Sequence, residues 1–81
     1  ALTSFALSHD IIIFVAGKSS SNGKVLCQLC RNCNIRTCHI GSVKELRREW
    51  FRPDDNVGVC GATSTPRWLL ENVAAAIENL H

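Results

Sequence analysis

Continuous apolar residues occupy Ile11-Ile12-Ile13-Phe14-Val15-Ala16, and a shorter run occupies Val57-Gly58-Val59-Cys60. Between and around them the apolar positions recur at helical rather than alternating spacing. A β-branched run bounded by turn residues predicts a strand, and a run without polar alternation predicts one covered on both faces, as in a parallel sheet. The chain therefore divides into strands and helices in alternation. Residues Ala1 to Ser8, with Leu2, Phe5 and Leu7 apolar, read as the last turns of a helix, and Asp10 to Ala16 as the first strand. Asn22 to Asn32 reads as the first full helix, closed by Cys33 and Asn34, and Arg36 to Ile40 as a second short strand. The spacing predicts a further helix over Val43 to Phe51, with Ser42 as N-cap and Glu45 three residues later in the capping-box position. Leu46 and Trp50 lie on its inner side, with Lys44, Arg47 and Arg48 largely outside. Pro53-Asp54-Asp55-Asn56 turns the chain into the strand Val57 to Cys60. After Pro66, with Thr65 or Ser64 as cap, a last helix presents Leu69, Val73, Ala76, Ile77 and Leu80 along one face.

Strands of this kind alternating with helices predict an α/β fold: a small three-layer sandwich with three parallel strands and right-handed crossovers. Residues 1–81 make one partial domain, a fragment of a larger one. At 81 residues only about 60% of the unfolded surface is buried, so the core is marginal. The sequence contains no methionine, so the natural start is expected elsewhere, through processing or truncation.

The turn behind the first strand carries the most informative chemistry. Gly17-Lys18-Ser19-Ser20-Ser21-Asn22-Gly23-Lys24 places hydroxyls, an amide and two lysines where a strand passes into a helix. The first N–H groups of a helix lack intrahelical partners and, with the helix dipole, favour phosphate or carboxylate. Two familiar phosphate motifs are absent. A P-loop needs a glycine where this chain has Ile12, and Gly17 and Gly23 do not form G-x-G-x-x-G. Ser21 or Asn22 serving only as a helix cap is the plainer alternative. The loop Gly61-Ala62-Thr63-Ser64-Thr65 tips the balance: in a parallel sheet it shares a rim with Gly17 to Asn22, so two hydroxyl-rich helix starts converge.

Charge and cysteine content narrow the field. A net charge of +2 with five aromatics lacks the basic, stacking signature of nucleic-acid binders. No apolar run approaches a membrane span, and no charged segment precedes an apolar one as in a signal peptide. A cytoplasmic protein without nucleic-acid or membrane partners is the default expectation. Cys27, Cys30, Cys33 and Cys38 read C-x2-C-x2-C-x4-C, close to ferredoxin spacing, and a small iron–sulfur or zinc module built on them is the alternative function. Cysteines three apart on a helix drift around its axis, so they read instead as core residues, with no metal ligand among them. In the reducing cytoplasm disulfides are not expected.

Asp10 to Asn22, followed by Val57-Gly58-Val59-Cys60-Gly61-Ala62-Thr63-Ser64-Thr65-Pro66, resembles the C-terminal part of the LytB family, the hydroxymethylbutenyl diphosphate reductases of the non-mevalonate isoprenoid pathway. The resemblance covers nearly the whole chain and rests on both loops together. It implies a three-domain enzyme of which this chain is most of the third, C-terminal domain. It also implies a four-iron four-sulfur cluster held by one cysteine from each domain, an external electron donor, and reductive removal of an allylic hydroxyl to give isopentenyl and dimethylallyl diphosphates. Ser20, Ser21 and Asn22 match the family's diphosphate-binding loop, and Ser64 matches the serine of the second loop. The family's cluster cysteine and catalytic groups belong to segments outside this stretch. Cys27, Cys30, Cys33, Cys38 and Cys60 match none of the cluster ligands, and His9, His39 and His81 match no catalytic histidine. No catalytic residue is therefore expected in this chain, and the isolated fragment is expected to be inactive.

Overall fold

A computed structural model describes residues 2–17, 21–62 and 65–80, the side chains of Leu2, Thr3 and Leu80 excepted. Helix α1 (Leu2–Leu7) leads into β1 (Ile11–Val15), α2 (Ser21–Cys33), β2 (Thr37–Ile40), two separate 3₁₀ turns (Val43–Glu45 and Arg48–Trp50), β3 (Val57–Gly61) and α3 (Arg67–Leu80). The strands form one parallel sheet in the order β2-β1-β3. The α/β sandwich read from the sequence is the fold observed.

Every residue of β1 is buried, because the strand has neighbours on both edges and helices on both faces. Its side chains alternate between two cores. Ile12, Phe14 and Ala16 pack with Ala6 of α1 and with Cys27 and Cys30 of α2. Ile11, Ile13 and Val15 pack with Ile40 and with Val73 and Ile77 of α3. Fully burying an aliphatic or aromatic side chain of this size contributes roughly 1.5–3 kcal/mol, so this one strand anchors both layers. In β3, Gly58 fills a position where a Cβ would stand 2.9 Å from each of His9 Cγ, Ile12 Cδ1 and Phe5 Cε2, which explains a glycine within a strand beneath α1.

The connection from β2 to β3 departs from the expected helix. Instead of one helix over Val43 to Phe51, two 3₁₀ turns are separated by extended backbone at Leu46 and Arg47. Ser42 makes no side-chain cap hydrogen bond; Glu45 Oε2 accepts from Gly41 N at 2.6 Å, one residue before the capping-box donor. A nine-residue helix is short of the length that is stable alone. Here it would also stack Lys44 over Arg48, a like-charge pair four apart, and carry the poor helix formers Val43, Trp50 and Phe51. Packing replaces it: Val43, Leu46, Trp50 and Phe51 all rest against the second core.

Smaller departures follow from burial. Among the described side chains of α1, Ala6 is buried and Leu7 is 66% exposed, and in α2 Leu29 is 50% exposed. The α3 face holds at Leu69, Val73 and Ile77, whereas the expected contribution of Leu80 lies outside the described side chains. Among the described residues, no helix is long and apolar enough to cross a membrane.

The N-terminal edge of the sheet is tied by charged groups. Arg36 reaches both oxygens of Asp55 and also donates to Trp50 O at 3.0 Å, and Asp10 Oδ2 accepts from Asn56 N at 2.8 Å. These contacts brace the strand starts and leave the opposite edge for other work.

Candidate functional site: the rim at the strand C-termini

Register brings the strand ends together. Val15 pairs with Ile40 on one side and with Gly61 on the other, so the chain leaves β1 and β3 from adjacent points on one edge. From there it diverges: the segment after β1 enters α2, packed on one face, and the segment after β3 enters α3, packed on the other. Neighbouring parallel strands whose connections part to opposite faces leave a crevice between them, the usual ligand position in open α/β sheets.

Of the predicted site residues, Ser21 and Asn22 can be placed against this edge. Ser21 and Asn22 are the first two residues of α2, both exposed, with Gly23 buried behind them. Their N–H groups belong to the first turn, where donors lack intrahelical partners. Since both are already helical, the plain reading of either as the residue preceding the helix is not what forms. Ser20 and Ser64 lie outside the described residues. The second loop is described at Gly61, Ala62 and Thr65. Thr65 does not cap α3 with its side chain: Thr65 Oγ1 donates to Val15 O at 2.8 Å, and Thr65 N donates to Ala62 O at 2.9 Å. Pro66 O accepts from Leu69 N and Leu70 N and so opens the helix. A Cβ at Gly61 would stand 2.6 Å from Val15 O and 3.0 Å from Thr65 Cβ, so only glycine lets β3 pass this close to β1 as the loop folds back.

Sequence reasoning missed His39. It reads as a strand-end residue, yet its Nε2 lies 3.1 Å from Ala16 O, the last carbonyl before the loop. Alternation along β2 gives only the face on which His39 lies; its place beside Phe14 comes from the register of β2 against β1, which no local signal carries.

The cysteines do not fit an iron–sulfur or zinc centre. Cys27 and Cys30 are buried in the first core, with Cys33 and Cys60 packed against it, whereas Cys38 packs in the second core across the sheet. The four members of the C-x2-C-x2-C-x4-C run thus cannot meet. Metal-binding sulfur is thiolate, and burial works against that form here. It raises the Cys30 and Cys38 thiols and, with Cys30 nearby, pushes Cys60 up to about 12. Among the described residues no group of three or more His, Cys, Asp or Glu side chains could hold a metal ion.

Hollows bordered by described residues lie elsewhere. One, of about 630 Å³, lies against Leu46, Arg47, Arg48, Glu49 and Phe51. Another, of about 220 Å³, lies between β3 and α3 at Val57, Val59, Ala74 and Ile77. Neither reaches the rim.

Comparison with known proteins gives the family. The family described as LytB protein matches residues 1–78. A 4-hydroxy-3-methylbut-2-enyl diphosphate reductase of Chlorobium phaeobacteroides is 57% identical over 84 residues, taking in 99% of this chain and 26% of that protein. The protein of that name from Chlorobaculum tepidum is 50% identical over 82 residues, covering 95% of this chain and 25% of the relative. A solved structure of (E)-4-hydroxy-3-methyl-but-2-enyl diphosphate reductase, the terminal enzyme of the non-mevalonate pathway, matches at a TM-score of 0.92 with 35% identity. That match covers 96% of this chain and 28% of the solved one. The chain spans about a quarter of the length of the relatives it matches. With a family match over residues 1–78 and relatives at half identity or better along nearly its whole length, the chain belongs to the LytB protein family.

Proposed function

We propose that this chain is most of the C-terminal domain of a 4-hydroxy-3-methylbut-2-enyl diphosphate reductase and supplies part of the surface that binds the substrate's diphosphate. The observation that supports the reading is the pairing of Val15 with Gly61, from which the chain leaves toward both hydroxyl-bearing loops at adjacent points of one edge. In this reading Ser20, Ser21 and Asn22 donate from the first loop and Ser64 from the second. The N–H groups of Ser21 and Asn22, in a helix's first turn where intrahelical acceptors are lacking, add to them, and the helix dipole favours the anion. Charge-assisted hydrogen bonds of this type are stronger than neutral ones, so several converging donors orient a pyrophosphoryl group without any one side chain being charged.

The reduction itself is assigned to the rest of the polypeptide. A four-iron four-sulfur cluster, fed by an external electron donor, would supply electrons for removing the allylic hydroxyl to give isopentenyl and dimethylallyl diphosphates. No ligand to it is assigned to this chain, whose cysteines are spent on the two cores. What remains for these residues is binding and orientation.

The test uses the full-length reductase. Replacing Asn22 or Ser21 by alanine is expected to weaken binding of the diphosphate substrate about fivefold or more per lost hydrogen bond, with the cluster's visible absorbance unchanged. Ser20→Ala and Ser64→Ala complete the set, and unchanged affinity in all four variants would end the proposal.

A further inference from the structure

Strand β1 ends on two carbonyls, and a different neighbour takes each of them. On the β3 side Thr65 Oγ1 donates to Val15 O at 2.8 Å. On the β2 side His39 Nε2 stands 3.1 Å from Ala16 O, and because a carbonyl only accepts, that nitrogen carries the proton. Ala16 N donates to Ile40 O at 3.0 Å, so the last buried residue of this segment is held by β2 at both its N–H and its C=O. One residue later Gly17 is exposed, and a Cβ there would meet nothing within 4 Å. The imidazole is itself aimed by the core, lying edge-on to fully buried Phe14 with ring centroids 6.0 Å apart and planes at 78°.

Neither side-chain contact is part of the strand ladder, and a rim carbonyl can be satisfied by water instead. Two built donors at the point where the backbone leaves the sheet call for another explanation. We infer that His39 and Thr65 are positioning residues for the diphosphate rim: by holding the Ala16 and Val15 carbonyls they fix the direction in which the chain departs toward Ser21 and Asn22. They also offset the partial negative charge of two carbonyl oxygens at an edge that receives an anion. The inference rests on the diphosphate reading of the rim and deepens it.

The test is made in the full-length reductase with inorganic pyrophosphate as competing ligand, reading its inhibition constant, KM, kcat, the cluster absorbance and the thermal midpoint. His39→Leu removes the donor and keeps an apolar side chain against Phe14; Thr65→Val removes the hydroxyl at nearly constant shape. Each is expected to raise the pyrophosphate inhibition constant and KM about fivefold, the effect of one lost hydrogen bond, with kcat and absorbance near those of the parent. His39→Gln and Thr65→Ser, which retain a donor, are expected to restore both constants to within about twofold. A fall in thermal midpoint with no change in the inhibition constant for either His39→Leu or Thr65→Val would reduce the contacts to scaffolding and overturn the inference. Should His39→Leu fail to fold, Thr65→Val at the neighbouring carbonyl decides. Asn22→Ala and Ser21→Ala run alongside: if they weaken pyrophosphate and the positioning variants do not, this inference alone fails. If none of the four does, the reading of the rim fails with it.

Discussion

Arg36 and Asp55 meet in a two-pronged contact, Nη1 to Oδ1 at 2.9 Å and Nη2 to Oδ2 at 2.7 Å, across a gap of 19 residues in sequence. Arg52 N adds a third donor to the carboxylate at 2.8 Å. The guanidinium beside it holds the Asp55 carboxyl down to about 2, against an ordinary 3.8. A depressed carboxylate stabilises the fold at pH above its unfolded value, and the contribution is lost as pH falls through the folded one. Stability is therefore expected to decline between about pH 4 and pH 2, followed by circular dichroism. In Asp55→Asn this acid-sensitive component is expected to shrink, with a loss of roughly 1–3 kcal/mol at neutral pH.

Three glycines are expected to respond differently to alanine, according to what the added methyl meets. Gly61→Ala drives a Cβ to 2.6 Å from backbone oxygen, which cannot swing away, and overpacking of this kind costs about 1–3 kcal/mol. Gly58→Ala meets three side-chain atoms at 2.9 Å and also destabilises, by displacing His9 and Phe5 of the overlying helix and turn. Gly17→Ala meets nothing and is expected to be neutral or to stabilise by about 0.4–1 kcal/mol through the unfolded chain. Denaturant midpoints of the three variants give the order.

The thiol of Cys60, pushed up to about 12 by burial and by Cys30, makes a prediction at alkaline pH. Its raised value means stability is complete below the unfolded thiol's ordinary 9.0 and is lost as pH climbs from there toward 12. Native protein at pH 8 is accordingly expected to resist alkylation at Cys60 and Cys30. Mass spectrometry after urea denaturation should find both labelled rapidly, and fast native labelling would contradict the burial.

Ser42 and Glu45 are separable by mutation. Ser42→Ala is expected to stay within about 0.5 kcal/mol of the parent, because its hydroxyl caps nothing. Glu45→Ala removes the carboxylate that takes Gly41 N and is expected to cost about 1 kcal/mol. Equal effects in urea melts would restore the capping-box reading.

The alternation of strand and helix was legible because β1 is a run of five apolar residues with no polar break and because α2 and α3 keep helical periodicity for 13 and 14 residues. Val43 to Phe51 has the same periodicity over a shorter length, and at that length charge repulsion and packing outweigh pattern. The hydroxyl loops were visible as composition at a strand-to-helix turn. The ties from His39 and Thr65 were not, since both depend on which strands adjoin β1 and in what register. Side-chain alternation fixes the face of a residue but leaves its lateral neighbour open. Arg36 and Asp55 escaped notice for the same reason: nothing local joins the approach to β2 with the approach to β3.

The division of β1 between two cores also sets where this sequence tolerates changes in length. One residue gained or lost between Ile11 and Ala16 would exchange the two sets of side chains, handing Phe14's place to a residue shaped for the opposite layer. It would also rotate the peptide that starts the serine loop by half a turn. The irregular passage between Ile40 and Val57 carries no such phase, so insertions and deletions among descendants of this sequence should accumulate there and spare the central strand.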